Sequence, residues 1–125
     1  MGLSWGNSVR NFQNLTKRTA IDVEKSTMKI VDLTAKDVKR YAEQATPVKS
    51  GKLKRSWKIL KRGRGKNRKV EILNRLDYAS LVENGTSKMP PKRMLAKAVI
   101  RGDRLLKRRL EALKRLTSNK FNRGA

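Results

Sequence analysis

Apolar residues recur at helical spacing in the first third of the chain. Residues 14–45 contain no proline or glycine, and one side of this stretch is formed by Val31, Ala35, Val38, Ala42 and Ala45. Alternating steps of four and three residues place such positions on one face of an α-helix. The pair Thr46-Pro47 should end the helix, because a residue before proline is pushed out of the α region. We therefore predict a long N-terminal helix up to Ala45, with residues 1–13 as a short helix or an arm.

Apolar and polar residues alternate in the next part of the chain. The stretches SWKILKR (56–62) and RKVEILN (68–74) are short and contain residues that favour strands. Trp57 and Ile59 share one face of the first stretch, as do Val70 and Ile72 in the second. GRGKN between them supplies the glycine and asparagine that a turn needs. This pattern predicts an antiparallel hairpin, which must pack on the helices or gain strands from another chain, since a two-stranded ribbon is marginal in water.

A short helix is predicted next, over Tyr78–Asn84. Asp77 is expected to cap its start, and Gly85 is expected to end it in the left-handed conformation. Tyr78, Leu81 and Val82 fall on one side of this helix, so the plain interpretation is that they fill the core.

The C-terminal part predicts an amphipathic helix from Met94 to Leu116. Its apolar stripe consists of Leu95, Ala98, Val99, Gly102, Leu105, Leu106, Leu110, Leu113 and Leu116. The opposite side carries Lys97, Arg101, Arg104, Lys107, Arg108, Lys114 and Arg115. The whole pattern predicts a single α+β domain with a folded core over residues 14–116, followed by a flexible basic tail over residues 117–125.

The chain is strongly basic, with 33 Lys+Arg against 10 Asp+Glu and a net charge of +23. The excess is uneven: residues 1–46 have 8 basic and 5 acidic side chains, residues 47–86 have 12 and 3, and residues 87–125 have 13 and 2. Such a surface favours an anionic partner such as nucleic acid, an acidic protein face or an anionic membrane. The longest purely apolar run is Ala98-Val99-Ile100, which is far too short to span a membrane, and we expect no membrane partner.

The densest basic cluster lies at the hairpin tip. It consists of Lys61, Arg62, Arg64, Lys66, Arg68 and Lys69. One interpretation is an arm that contacts DNA phosphates or an acidic neighbouring protein. The other is a solvated turn whose charges prevent edge-to-edge pairing of strands. The sequence favours neither.

Catalytic chemistry has little support. Histidine and cysteine are absent, so the usual nucleophile–base pairs and soft metal sites cannot form. The ten carboxylates are scattered, and GRGK at residues 63–66 lacks the spacing of a phosphate-binding loop. We predict that the protein is not an enzyme and uses no cofactor.

Three short segments together resemble the tail-completion, or head–tail joining, proteins of long-tailed phages. They are TPVKSGKLKRSW (46–57), LDYASLVENGT (76–86) and MPPKRMLAKAV (89–99), in the order found in that family. The residues that match the family pattern are Thr46, Pro47, Gly51, Leu53, Ser56, Tyr78, Ala79, Val82, Glu83, Gly85 and Thr86. The chain departs from the pattern at Lys49, Ser50 and Asn84. The very basic hairpin and C-terminus are not hallmarks of the family.

The resemblance implies a structural protein of the virion neck, assembled in the host bacterial cytoplasm. Such proteins form rings, commonly of six, around the DNA channel between head-closure or adaptor proteins and the tail tube or tail terminator. Tyr78 and Val82 would then hold the short helix on the core. Glu83, Gly85, Thr86 and Pro90 would fix a loop that packs against a neighbour. The alternative is a small, nucleoid-like nucleic-acid-binding protein that uses its charge directly.

Overall fold

The computed structural model describes residues 2–4, 20–48, 51–64 and 67–123. The elements are β1 (Gly2–Ser4), α1 (Ala20–Ala45), α2 (Lys52–Arg55), β2 (Trp57–Arg62), β3 (Lys69–Asn74), α3 (Ala79–Asn84) and α4 (Met94–Arg123). They confirm the predicted α+β class. The predicted helical residues 14–19, most of the predicted arm, and Lys49, Ser50 and Lys66 lie outside the described residues.

Helix α1 ends at Ala45, as the Thr46-Pro47 pair predicts. Four of the five residues on its predicted apolar face, from Val31 to Ala42, are buried, and Ala45 packs against them. Two threonines on the same helix, Thr27 and Thr34, are also fully buried. Each hydroxyl donates a hydrogen bond to a backbone carbonyl four residues earlier, at 2.6 Å and 2.7 Å. These bonds satisfy the hydroxyls, so threonine can occupy core positions.

The sheet has three strands, in the order β1-β3-β2, and all neighbours are antiparallel. The hairpin pairs Trp57 with Asn74 at one end and Arg62 with Lys69 at the other. Trp57, Val70 and Ile72 are buried, as the alternation predicts. The strand β1 pairs with β3 from Gly2 to Ser4. The hairpin therefore gains its third strand from the N-terminus of the same chain.

Helix α1 packs against the sheet and also against α4. Arg101 of α4 stacks on Tyr41, whereas Arg109 contacts Thr34 and Asp37, so the two long helices run antiparallel. The apolar stripe of α4 faces this contact, with Leu95, Ala98, Leu106 and Leu110 buried.

The predicted C-terminal end was wrong in one respect. Helix α4 continues to Arg123, so residues 117–123 are helical where we expected a flexible tail. Leu116, predicted to lie in the apolar stripe, is 68% exposed. A continuous helix is physically reasonable, because no proline or glycine occurs between Leu116 and Gly124.

Candidate assembly interface

A short loop joins α3 to α4, and its first residue has a backbone conformation that glycine alone tolerates well. Gly85 has φ 78° and ψ 172°, and its N–H donates to the Leu81 carbonyl at 2.8 Å, which ends α3. The predicted positive φ is confirmed, but the ψ value places Gly85 outside the left-handed helical region, in a region that is essentially restricted to glycine. A Cβ atom here would lie 2.7 Å from the Pro91 nitrogen and 2.9 Å from the Met89 carbonyl oxygen.

The loop then closes on itself and turns back onto α3. Thr86 and Met89 exchange two backbone hydrogen bonds, of 2.8 Å and 3.3 Å, and the Thr86 hydroxyl accepts a third from the Lys88 N–H at 3.3 Å. Lys92 and Arg93 donate their N–H groups to the carbonyls of Val82 and Glu83, at 2.9 Å and 3.1 Å. Loop residues 86–88 and 90–93 are exposed, yet these hydrogen bonds fix their backbone at several positions.

Glu83 connects this loop to the start of α4. Its side chain is only 8% exposed. One carboxylate oxygen accepts the N–H of Leu95 and the other accepts the N–H of Ala96, both at 2.9 Å. Glu83 thus caps a helix that begins eleven residues later in the chain, where free N–H groups and the helix dipole favour a negative charge.

The local sequence explains why a distant cap is needed. The residues before Met94 are Pro91, Lys92 and Arg93, and none of them carries a side-chain acceptor. The family resemblance implied that Glu83 helps to fix the loop, but its role as a cap was missed. The available signal was a long helix without a local capping residue, a few positions after a lone glutamate in a tight loop.

Two predictions for α3 were wrong. Asp77 does not cap the helix: Tyr78 occupies the N-cap position, and no side chain caps it. Tyr78 and Leu81 do not fill the core either, since they are 38% and 52% exposed. The helix is held instead by Ala79, which is buried, and by Val82, which packs against the core cluster. The result is an exposed apolar and aromatic surface directly beside the fixed loop.

A surface depression of about 430 Å³ adjoins α3. It lies between the end of β3 and the first turn of α3, and its lining includes Leu73, Arg75, Leu76 and Ser80. Its lining mixes polar and apolar residues, with Glu71 and Ser80 among the polar ones.

The first of the three sequence segments builds the support beneath the sheet. The Thr46 hydroxyl donates to the Ala42 carbonyl at 2.6 Å and accepts the Trp57 indole N–H at 2.8 Å. Gly51 has φ 70° and begins α2, which buries Leu53. The buried Asn74 side chain donates to the Leu53 carbonyl at 2.9 Å. Thr46 and Gly51 are therefore structural, whereas Pro47 supplies the break after α1.

The basic hairpin tip is partly neutralised within the chain. Arg68 donates to both carboxylate oxygens of Asp32 on α1, at 2.8 Å and 2.7 Å, and the Lys61 ammonium lies 3.6 Å from the same carboxylate. Arg68 therefore holds the hairpin on α1, and the interpretation of the tip as an arm for an anionic partner stays a prediction. Arg62, Arg64 and Lys69 are exposed.

The described part of the chain offers no group of three or more residues that would hold a metal ion. None of its helices is long and apolar enough to cross a membrane. What the structure assembles is a fixed surface loop with exposed apolar residues beside it. This arrangement is typical of a protein that acts through contacts with other proteins.

Comparison with known proteins places this protein among the structural tail components of bacteriophages. The family model described as "Bacteriophage HK97-gp10, putative tail-component" matches residues 10–85, which is more than half of the chain. The chain belongs to this HK97-gp10-like family. Neither the comparison with curated proteins nor the comparison with solved structures finds a match.

Proposed function

We propose that the protein joins the phage head to the tail as a ring around the DNA channel of the neck. The observation that carries this proposal is the fixed loop after α3, because Glu83 and Gly85 hold an exposed segment in one conformation. A contact loop that is already ordered loses less conformational entropy when a neighbour binds. Family membership supports the broader role, since this is a family of tail components.

A closed ring requires that two different surfaces of one subunit meet on adjacent copies. Tyr78 and Leu81 provide one exposed apolar surface next to the loop. Leu33 on α1 and Ile100 on α4 are exposed on other elements, at 51% and 57%. The chain thus presents separate apolar surfaces, which suits a heterologous contact. We propose a homo-oligomer, most simply a hexamer, that binds head-closure or adaptor proteins on one side and tail-tube or terminator proteins on the other.

In this role the protein uses no cofactor and catalyses no reaction. It is part of the virion neck after assembly in the bacterial cytoplasm. The alternative, a nucleoid-like DNA-binding protein, is favoured by the net charge of +23 alone. It gives no function to the Glu83–Gly85 arrangement, which fixes a loop with apolar neighbours.

The test is a phage in which an early stop codon removes this protein. We expect infected cells to accumulate DNA-filled heads and separate tails, because neither part is missing and only the joint is lost. Electron microscopy of the lysate shows this directly, and supplying the wild-type chain from a plasmid should restore joined particles. Joined, infectious particles without the protein would contradict the proposal. A defect in DNA replication or host nucleoid structure, with joining intact, would favour the alternative.

A further inference from the structure

The outward side of α4 carries a straight row of positive charges. Lys97, Arg104, Arg108 and Arg115 follow one another at steps of seven, four and seven residues. At 3.6 residues per turn they fall within an arc of about 40°, and at 1.5 Å per residue they extend over about 27 Å. All four side chains are exposed. We call these four residues the α4 row.

The α4 row has no acidic partner among the described residues. The ion pairs of α4 are made by other side chains: Arg109 contacts Asp37 at 2.8 Å and Lys107 contacts Asp103 at 2.9 Å. One carboxylate, Glu111, lies on the same side of the helix. Glu111 offsets at most one of the four charges, so the row keeps a net positive charge, and its members are not needed to hold the fold.

The two long helices differ sharply in charge. Helix α1 has five basic and five acidic residues, so its net charge is 5 − 5 = 0. Helix α4 has ten basic and two acidic residues, so its net charge is 10 − 2 = +8. Both helices are amphipathic and comparable in length, so solubility alone does not explain the difference. The excess positive charge is concentrated on α4, whose outward side chains are exposed.

We propose that the α4 row binds the phosphate backbone of duplex DNA without reading its sequence. Over about 27 Å a duplex presents roughly 16 phosphates, at one charge per 1.7 Å of axis, so a rod of cations of this length meets several at once. The row consists of arginine and lysine, and both side chains bind phosphate oxygens. Contacts of this kind give affinity without specificity.

An acidic protein surface fits the row less well. Stable protein interfaces have a desolvated centre with aromatic or aliphatic anchors, and charged residues are depleted there. The row itself consists of exposed cations only, and the exposed aliphatic residues of α4, Ile100 and Leu116, lie outside its arc of about 40°. The row also lies beyond residues 10–85, so the family match does not account for it.

This inference rests on the proposed function to the extent that it names DNA as a partner of the neck protein. It can be tested on the purified full chain, so its failure is distinguishable from a failure of head–tail joining. The row variant replaces Lys97, Arg104, Arg108 and Arg115 with Gln. A matched control replaces the exposed Lys25, Lys29, Lys36 and Lys58 with Gln, which removes the same charge. A third variant replaces Arg62, Arg64 and Lys69 at the hairpin tip with Gln.

The measurement is the fluorescence anisotropy of a labelled 20-base-pair duplex, repeated over a series of salt concentrations. For the row variant we expect affinity to fall roughly 100-fold near 0.1 M salt and the slope of log K against log salt to become shallower by about 3.6. The control should change by less than about threefold, because it removes charge where phosphates do not reach. Circular dichroism checks that all variants keep their helices, and Arg104→Lys with Arg108→Lys should retain binding.

Three results would overturn the proposal. Equal losses in the row and control variants would mean that only net charge matters. A larger loss in the tip variant would assign DNA binding to the hairpin. Tighter binding to poly-L-glutamate than to duplex DNA by the wild-type chain would identify an acidic protein surface as the partner. If the row variant failed to fold, the pair Arg104→Gln with Arg108→Gln would decide between the same outcomes.

Discussion

Gly85→Val is expected to lower the free energy of unfolding by about 3–5 kcal/mol and to abolish head–tail joining. The backbone at φ 78° and ψ 172° is accessible to glycine and strained for a β-branched residue. The new Cβ would also overlap the Pro91 nitrogen, at 2.7 Å, and relief of that contact requires the loop backbone to move. Since a domain of this size has about 5–15 kcal/mol of stability, the loss is large. Urea denaturation and plaque formation measure the two effects.

A substitution at Ser87 provides the matched control for Gly85→Val. Ser87 lies in the same loop and is exposed, and it does not have a positive φ. Ser87→Val adds the same side chain and is expected to change the free energy of unfolding by less than about 0.5 kcal/mol. If Gly85→Val were as stable as Ser87→Val and assembled normally, the conformation of this loop would not matter for joining.

Glu83→Ala is the second substitution with a large expected effect. It removes both acceptors for the N–H groups of Leu95 and Ala96, and it leaves the start of α4 uncapped in a partly buried setting. Bonds to a charged acceptor and the loss of a cap together predict a destabilisation of about 2–4 kcal/mol. Urea denaturation of the purified chain measures it. Hydrogen exchange should show faster exchange at these two amides in particular.

Two further variants make the Glu83 experiment specific. Glu83→Gln keeps one carbonyl oxygen as an acceptor and loses the charge, so we expect about half of the destabilisation seen for alanine. Glu111→Ala removes an exposed glutamate from α4 itself and should have little effect. Equal stability of Glu83→Ala and Glu111→Ala would show that the carboxylate does not hold the helix.

Elements defined by local pattern were predictable from the sequence. The face of α1, the Thr46-Pro47 stop and the two hairpin strands follow from spacing that neighbouring residues determine. Strand β1 was not predictable in this way, because three residues, Gly2–Ser4, carry almost no periodic signal and pair with β3 some 70 positions away. Such pairings depend on the folded sheet offering a free edge.

The candidate site likewise has features that were predictable from the sequence and features that were not. The family resemblance implied that Glu83, Gly85 and Thr86 together fix one loop, and the positive φ of Gly85 followed from its place after a short helix. The cap on α4 did not follow, because it needs the chain to fold back so that a carboxylate meets backbone groups of another helix. Tyr78 was misplaced because a helix of six residues has too few turns to identify its buried side from periodicity.

Ion pairs between residues distant in the chain also could not be predicted from the sequence. The hairpin tip read as one uniform basic cluster, yet Arg68 is bound to Asp32 on α1. Residues 36 positions apart give no sign of such a contact until the topology is known. The α4 row could not be recognised from composition, because composition does not distinguish cations that have an acidic partner from cations that have none.

The most direct test of the central claim is a cryo-electron-microscopy reconstruction of the neck of the intact virion. We expect a closed ring of this chain between head and tail, with the loop after α3 and the side chains of Tyr78 and Leu81 buried against an adjacent subunit or neighbouring neck protein. A neck without this chain, or a ring in which that loop and both side chains stay exposed to solvent, would contradict it.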